Sequence, residues 1–256
     1  MRSLFELTLL PSILIGAVAG CSPPVDTNDE LAGESTDQDE FAGNAGAVDD
    51  ASTYFGIAAD LRKCPSPTCG GWFLTRLNRT TTRCHDGRSA DACYTPVLDW
   101  SEANLPEAQQ ATLLDACSKD AASPGVYAIV RGRFERTNTT PRPELGRFVI
   151  SEAWIAEGDT VSDGAFVRVT DNGLRCFVAP CPSLTEDVLN RAQSTNIAGI
   201  DWAPAELSDR QIAECVQAMS TRDGVLVAGY YYRMWGPAGT ALGRTATAAY
   251  YRLTAP

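Results

Sequence analysis

The stretches CPSPTCGGWFLTRLNR (Cys64–Arg79) and CFVAPCPSLTEDVLNR (Cys176–Arg191) decide the architecture of this 256-residue chain. Each opens on two cysteines separated by four residues and closes on Leu-Asn-Arg at the same distance. Tyr54, Cys64, Cys69, Leu77, Asn78 and Arg79 are answered by Phe166, Cys176, Cys181, Leu189, Asn190 and Arg191 at a constant offset of 112. Further on, LDW (Leu98–Trp100) is answered by IDW (Ile200–Trp202) at an offset of 102. The ten residues lost between the two offsets (112 − 102) fall around CHDGRSADAC, so Cys84 and Cys93 have no counterparts. Cys117 then matches Cys215, and GVYAIVRGRF (125–134) matches GVLVAGYYYR (224–233). An ordered series of matches through both halves is the signature of a repeated supersecondary unit.

Within each half, short runs rich in β-branched and aromatic residues lie between Gly, Pro and Asn breakers and read as strands: YFGIAADL, GWFLTRLN and YTPVLDW. A helix follows the Asp-Trp pair. Ser208 and Gln211 form a capping box, and Ile212, Cys215, Val216 and Met219 make one apolar stripe. Leu113, Leu114 and Cys117 give a shorter version in the first half, with Pro106 in its first turn. Two longer strands close each half. The expected fold class is α+β: two tandem duplicated units, residues 54–160 and 161–256, each an antiparallel sheet with one helix, stapled by disulfides. Joining the two sheets at their edges would hide two strand edges, which favours association of the halves.

The N-terminus sets the expected compartment. Residues 1–20 carry an apolar run, LTLLPSILIGAVAG, too short for a membrane span of about 20 residues but suited to a signal-peptide core. VAGC (Val18–Cys21) resembles the lipobox of bacterial lipoproteins, which implies Cys21 as the lipidated N-terminus and membrane attachment through acyl chains. Ser22, a non-acidic residue after that cysteine, points to the outer membrane of the bacterial envelope. Residues 21–53 hold nine carboxylates (Asp26, Asp29, Glu30, Glu34, Asp37, Asp39, Glu40, Asp49, Asp50) and no Lys or Arg. Of the net charge of −11, this segment accounts for −9 and the remainder of the chain for −2. The segment reads as an acidic, disordered tether with a reach of roughly 30 Å. A nearly neutral body with only Lys63 and Lys119 as lysines excludes nucleic acid as an expected partner.

Nine cysteines are present, and setting Cys21 aside leaves eight in an oxidising compartment. Cys84 with Cys93 is the first expected disulfide because both lie in the unmatched segment. Cys64 with Cys69 and Cys176 with Cys181 are the next, each closing a small loop worth on the order of 2 kcal/mol. Cys117 and Cys215 then either bridge the halves or stay as buried thiols. A scheme tying each helix cysteine to its own loop remains open, since eight cysteines allow 105 pairings in principle.

No residue set commits the chain to a reaction. The four-residue cysteine gap and a single His85 do not make a zinc site, so no metal or cofactor is expected. His85 beside Asp86 lacks a nucleophile, and Asp99 and Asp201 occupy matching positions that suit capping more than glycoside chemistry. No Gly-rich phosphate loop follows a strand. The tryptophans and the YYYRMW run (Tyr230–Trp235) offer aromatic platforms for a glycan or peptide.

The lipobox and acidic spacer, with CPSPTCGGWFLTRLN, CYTPVLDW and RCFVAPCPSLTEDVLN, resemble a family of uncharacterised cysteine-containing lipoproteins from myxobacteria, classed as a domain of unknown function. The resemblance runs from about Tyr54 to the C-terminus and implies envelope location and repeat architecture, with no catalytic residues to carry over. The expected function is a non-enzymatic binding or structural module of the cell envelope, with an envelope protein or glycan as ligand. The alternatives are a protease inhibitor presenting its Cys-bracketed loops and a secreted hydrolase.

Overall fold

The structure is a computed structural model, and it describes residues 53–119, 125–136 and 145–254. The expected leader (1–20), the lipidated Cys21 and the tether up to residue 52 lie outside the described residues. The first half contributes β1 (Thr53–Ala59), β2 (Trp72–Arg76), β3 (Thr82–Arg83), β4 (Ser89–Ala90), β5 (Cys93–Thr95), β6 (Leu98–Asp99), α1 (Glu107–Lys119), β7 (Ala128–Glu135) and β8 (Arg147–Ala156). The second contributes β9 (Ala165–Asp171), β10 (Leu184–Val188), β11 (Ser194–Ile197), β12 (Ile200–Asp201), α2 (Asp209–Met219), β13 (Val225–Gly236) and β14 (Gly239–Leu253).

The expected fold class is corrected here. The protein is predominantly antiparallel β, and its two halves, expected as α+β units with a sheet each, build one 12-stranded sheet. Its order is β11-β10-β9-β13-β14-β8-β7-β1-β2-β5, with β12 beside β14 and β6 beside β8; β3 and β4 form a separate pair. Read outward from the β14-β8 junction, the halves follow the same order. The junction is antiparallel, with Tyr250 opposite Ala156 and Leu253 opposite Ala153. Strand periodicity says which residues face a core, but edge pairing depends on which free edges meet, and joining them leaves neither exposed.

Alternation along the strands assigns the two faces. Phe55, Ile57, Ala128, Val130, Phe148 and Ile150 point to one face, where Leu113 and Cys117 of α1 complete a core. Val167, Val169, Val225 and Val227 do the same beneath Cys215 and Met219 of α2. The opposite face buries Tyr54, Leu77, Ile129 and Trp154 of the first half against Leu189, Leu226, Ala228 and Tyr250 of the second. α2 starts with the capping box of Ser208 and Gln211, while Val216 of its expected stripe is half-exposed.

The repeated Leu-Asn-Arg explains how one sheet buries both its faces. Five inter-strand steps separate β1 from β9, which in a flat sheet is roughly 24 Å at ~4.8 Å per step. Yet the Asn190 amide donates to Tyr54 O (2.7 Å) and Leu77 O (2.9 Å), and its Oδ1 accepts Tyr54 N (2.8 Å). Asn78 reciprocates, donating to Phe166 O (2.6 Å) and Leu189 O (2.9 Å) and accepting Phe166 N (2.8 Å). Arg79 donates to Asn190 O, and Arg191 donates to Asn78 O. Each amide takes the ladder position that β2 or β10 leaves when the chain turns, and the sheet curls to bring them together. Both asparagines sit at positive φ (56° and 62°), a conformation that asparagine tolerates better than most residues.

Candidate functional site

Three disulfides are formed among the described residues: Cys64–Cys69, Cys84–Cys93 and Cys176–Cys181. Of the two alternatives for Cys117 and Cys215, a bridge between the halves or buried thiols, the structure has the second. They belong to the separate cores under α1 and α2, and a disulfide requires Cα atoms within about 7 Å. Burial, reinforced by the charges of Glu157 and Glu214, pushes the Cys215 thiol up to about 12.

Asp86, Asp99 and Asp201 each accept a backbone N–H two residues on. Asp86 accepts the backbone N–H of Arg88 (2.9 Å). Asp99 caps the turn at Ser101 N (2.9 Å) and Asp201 caps Ala203 N (3.1 Å), the same duty in each half. The Ser101 N–H is the main reason that the Asp99 carboxyl is held below the usual range. No group of three or more potential metal ligands occurs among the described residues. No helix there is long and apolar enough to cross a membrane.

The two small disulfide loops differ in what they present. In the first, Pro65-Ser66-Pro67-Thr68 is polar, and the Tyr94 hydroxyl donates to Pro67 O (2.7 Å), holding the loop to the body. In the second, Phe177 is fully exposed (109%) and Val178 about half-exposed. Ala179 O accepts Ala238 N (3.0 Å) from the turn between β13 and β14. A Cβ on Gly236 would stand 2.7 Å from that same Ala179 O, so glycine is required for the loop to lie on the hairpin. Trp235, next to Gly236, is 77% exposed, and Leu174 adds a further half-exposed apolar side chain before the loop. Because Gly236 turns its Cβ direction to the loop, alternation points Trp235 to the other face of the ribbon; the loop itself presents Phe177 and Val178 on a rigid mount, a disulfide ring seated on a two-stranded ribbon. Large exposed apolar groups grouped in this way mark interaction sites. Of the other tryptophans, Trp154 is buried and Trp72, Trp100 and Trp202 are partly buried; of the expected aromatic platforms Trp235 stands furthest into solvent, and Tyr230 and Tyr231 of the same run are exposed as well.

A polar feature beneath this ribbon escaped the sequence reading. Glu186 and Arg244 are fully buried and paired, with Arg244 Nη1 also donating to Gly229 O (2.7 Å). The Tyr231 hydroxyl donates to Glu186 Oε1 (2.6 Å), and the Arg244 guanidinium lies 4.6 Å from the centre of the Tyr231 ring. Register places Leu74, Phe134 and Phe148 at the corresponding points of the first half, where Phe134 and Phe148 stack edge to face at 5.0 Å. One scaffold thus holds an apolar cluster in one half and an ionic one in the other. The signal was present at the offset of 112, where Leu74 is matched by Glu186.

These features define a class: a repeat-built β-sheet protein, closed by reciprocal amides and presenting one stapled apolar loop. A family model described as Domain of unknown function (DUF6748) matches residues 53–256, and the chain belongs to that family. Comparison with curated proteins and with solved structures gives no match.

Proposed function

We propose that this is a non-enzymatic lipoprotein of the bacterial cell envelope, of the kind the myxobacterial resemblance implies. Cys21 anchors it in the outer membrane, the acidic segment keeps the body clear of lipid, and the Cys176–Cys181 loop with the hairpin tip docks a protein partner. The observation that carries the docking role is Phe177, a large apolar side chain wholly in solvent on a loop fixed at both ends. A pre-stiffened loop loses little conformational freedom on binding, and aromatic anchors dominate interface energetics. The inhibitor alternative gains from the protruding loop but meets a geometric obstacle. Bends run from Phe177 to Pro180 and the ring closes at a Cα–Cα distance of 5.6 Å. Five extended residue steps would span roughly 16 Å, as a substrate-like strand does.

The docking role is tested with a photo-crosslinking residue placed at position 177 and, as a control, at exposed position 216. A discrete adduct from 177 only, lost on Val178→Ser, supports the role; equal labelling from both positions refutes it. For the anchor, Cys21→Ser is expected to move the chain from the membrane to the soluble fraction, and continued membrane retention would count against lipidation.

A further inference from the structure

A groove of about 760 Å³ opens beside the reciprocal asparagines, lined by Tyr54 and Arg131 of the first half and by Arg168, Asp187, Asn190 and Arg191 of the second. Three guanidinium groups face one lining carboxylate. Arg168 stands 4.0 Å from Asp187, at the limit of ion pairing. Arg131 binds Glu152 (2.6 Å) and lies 5.5 Å from the centre of the Tyr54 ring, while Arg191 reaches Asn78 O. Tyr54 is 5% exposed, and its buried hydroxyl has no hydrogen-bond partner among the described residues. A buried hydroxyl of this kind needs an acceptor to offset its loss of water.

A second groove contains Phe166 and Thr75, the matches of Tyr54 and Asp187, but is otherwise lined by segments with no match in the first, among them Glu157, Asp159, Asp163 and Glu206. Its volume is about 1290 Å³.

We propose that the arginine-lined groove is a binding site for a small oxyanion, phosphate or carboxylate, with Arg168 and Arg131 as its counter-ions and the Tyr54 hydroxyl as a donor to it. Guanidinium forks match the geometry of both oxyanions. The volume lies within the ~300–1,000 Å³ of small-molecule sites, so the ligand is an organic molecule carrying that group rather than a bare ion. The site is separate in residues from the docking loop, and neither proposal depends on the other.

The test is calorimetric titration of the full chain with inorganic phosphate and with succinate, at constant ionic strength against a chloride control. Saturable binding of at least one is expected, and the tighter of the two identifies the source of the oxyanion. Arg168→Gln weakens it on the order of tenfold or more, the effect of losing a charged hydrogen bond. Tyr54→Phe removes one unpartnered oxygen, so it weakens binding several-fold while leaving the melting temperature unchanged or raised. Arg175→Gln, which disturbs a surface pair with Asp171, leaves binding unchanged. Should Arg168→Gln fail to fold, Tyr54→Phe decides the matter alone. Heats no greater than chloride, or Tyr54→Phe and wild-type chains binding alike, would overturn the proposal.

Discussion

Asn78 and Asn190 each make three hydrogen bonds to the other half, two from the amide nitrogen and one to Oδ1. Replacing either by alanine leaves backbone groups of Tyr54 or Phe166 without a partner and places a less tolerant residue at positive φ. The expected cost is about 2–4 kcal/mol of unfolding free energy, measured by urea denaturation. Asn→Asp retains the acceptor but sets a carboxylate oxygen against the two carbonyls that the amide nitrogen serves, so it is also destabilising; an Asn→Asp variant as stable as the wild type would mean that the amide nitrogen is idle. Arg79 and Arg191 also donate across the seam. The matched spacing of the motif was plain in the sequence. That its two copies bind one another was not, because a side chain that completes a backbone ladder leaves no periodic trace.

At the scale of elements, the ionic cluster under the β13–β14 ribbon has a built-in control in the other half. Glu186→Leu alone strands Arg244 in the core and is expected to cost on the order of 3–5 kcal/mol. The triple change Glu186→Leu, Tyr231→Phe, Arg244→Phe installs the side chains that Leu74, Phe134 and Phe148 place at the same points. It should recover most of that loss in a denaturation experiment, since apolar replacement of a buried ion pair is often neutral or stabilising. If the triple variant is no more stable than Glu186→Leu, the two halves are not interchangeable at this layer. The helices supply a second check. Cys117 and Cys215 are buried, and Cys215 is further protected by its raised ionisation. Alkylation of the folded body at pH 8 is expected to modify neither, and both only after unfolding, as read by peptide mass spectrometry. A scheme with an inter-half bridge would show no new thiol.

For the whole molecule, the balance of carboxylates sets the acid response. Asp60 is held below its usual range chiefly by hydrogen bonds from Arg62, Asp99 by the Ser101 N–H, and Glu135 by Arg147. Each lowered value adds stability that is present above the ordinary carboxylate range near pH 4 and is lost as the pH falls through the folded-state value. Glu157 runs the other way: burial raises it, so its contribution is favourable below that range and is lost as the pH rises through the raised value. The lowered groups outnumber it, so the melting temperature should fall between pH 5 and pH 2. Glu157→Gln should raise stability at pH 7 more than at pH 4. A melting temperature that stays level into acid would remove this account of the ion pairs.

The amino-acid sequence by itself determined the repeat, the short strands and the capping box of α2, and it favoured the pairing of neighbouring cysteines. These follow from local rules: alternation, turn residues, cap chemistry and the short reach of a small loop. Tertiary structure alone decided that the halves share one curled sheet, that their Leu-Asn-Arg turns clasp each other, and that Phe177 and Trp235 are left uncovered. Those outcomes depend on which distant edges and faces meet. An unpaired strand edge or a buried amide finds its partner through space, across separations that no window of sequence contains.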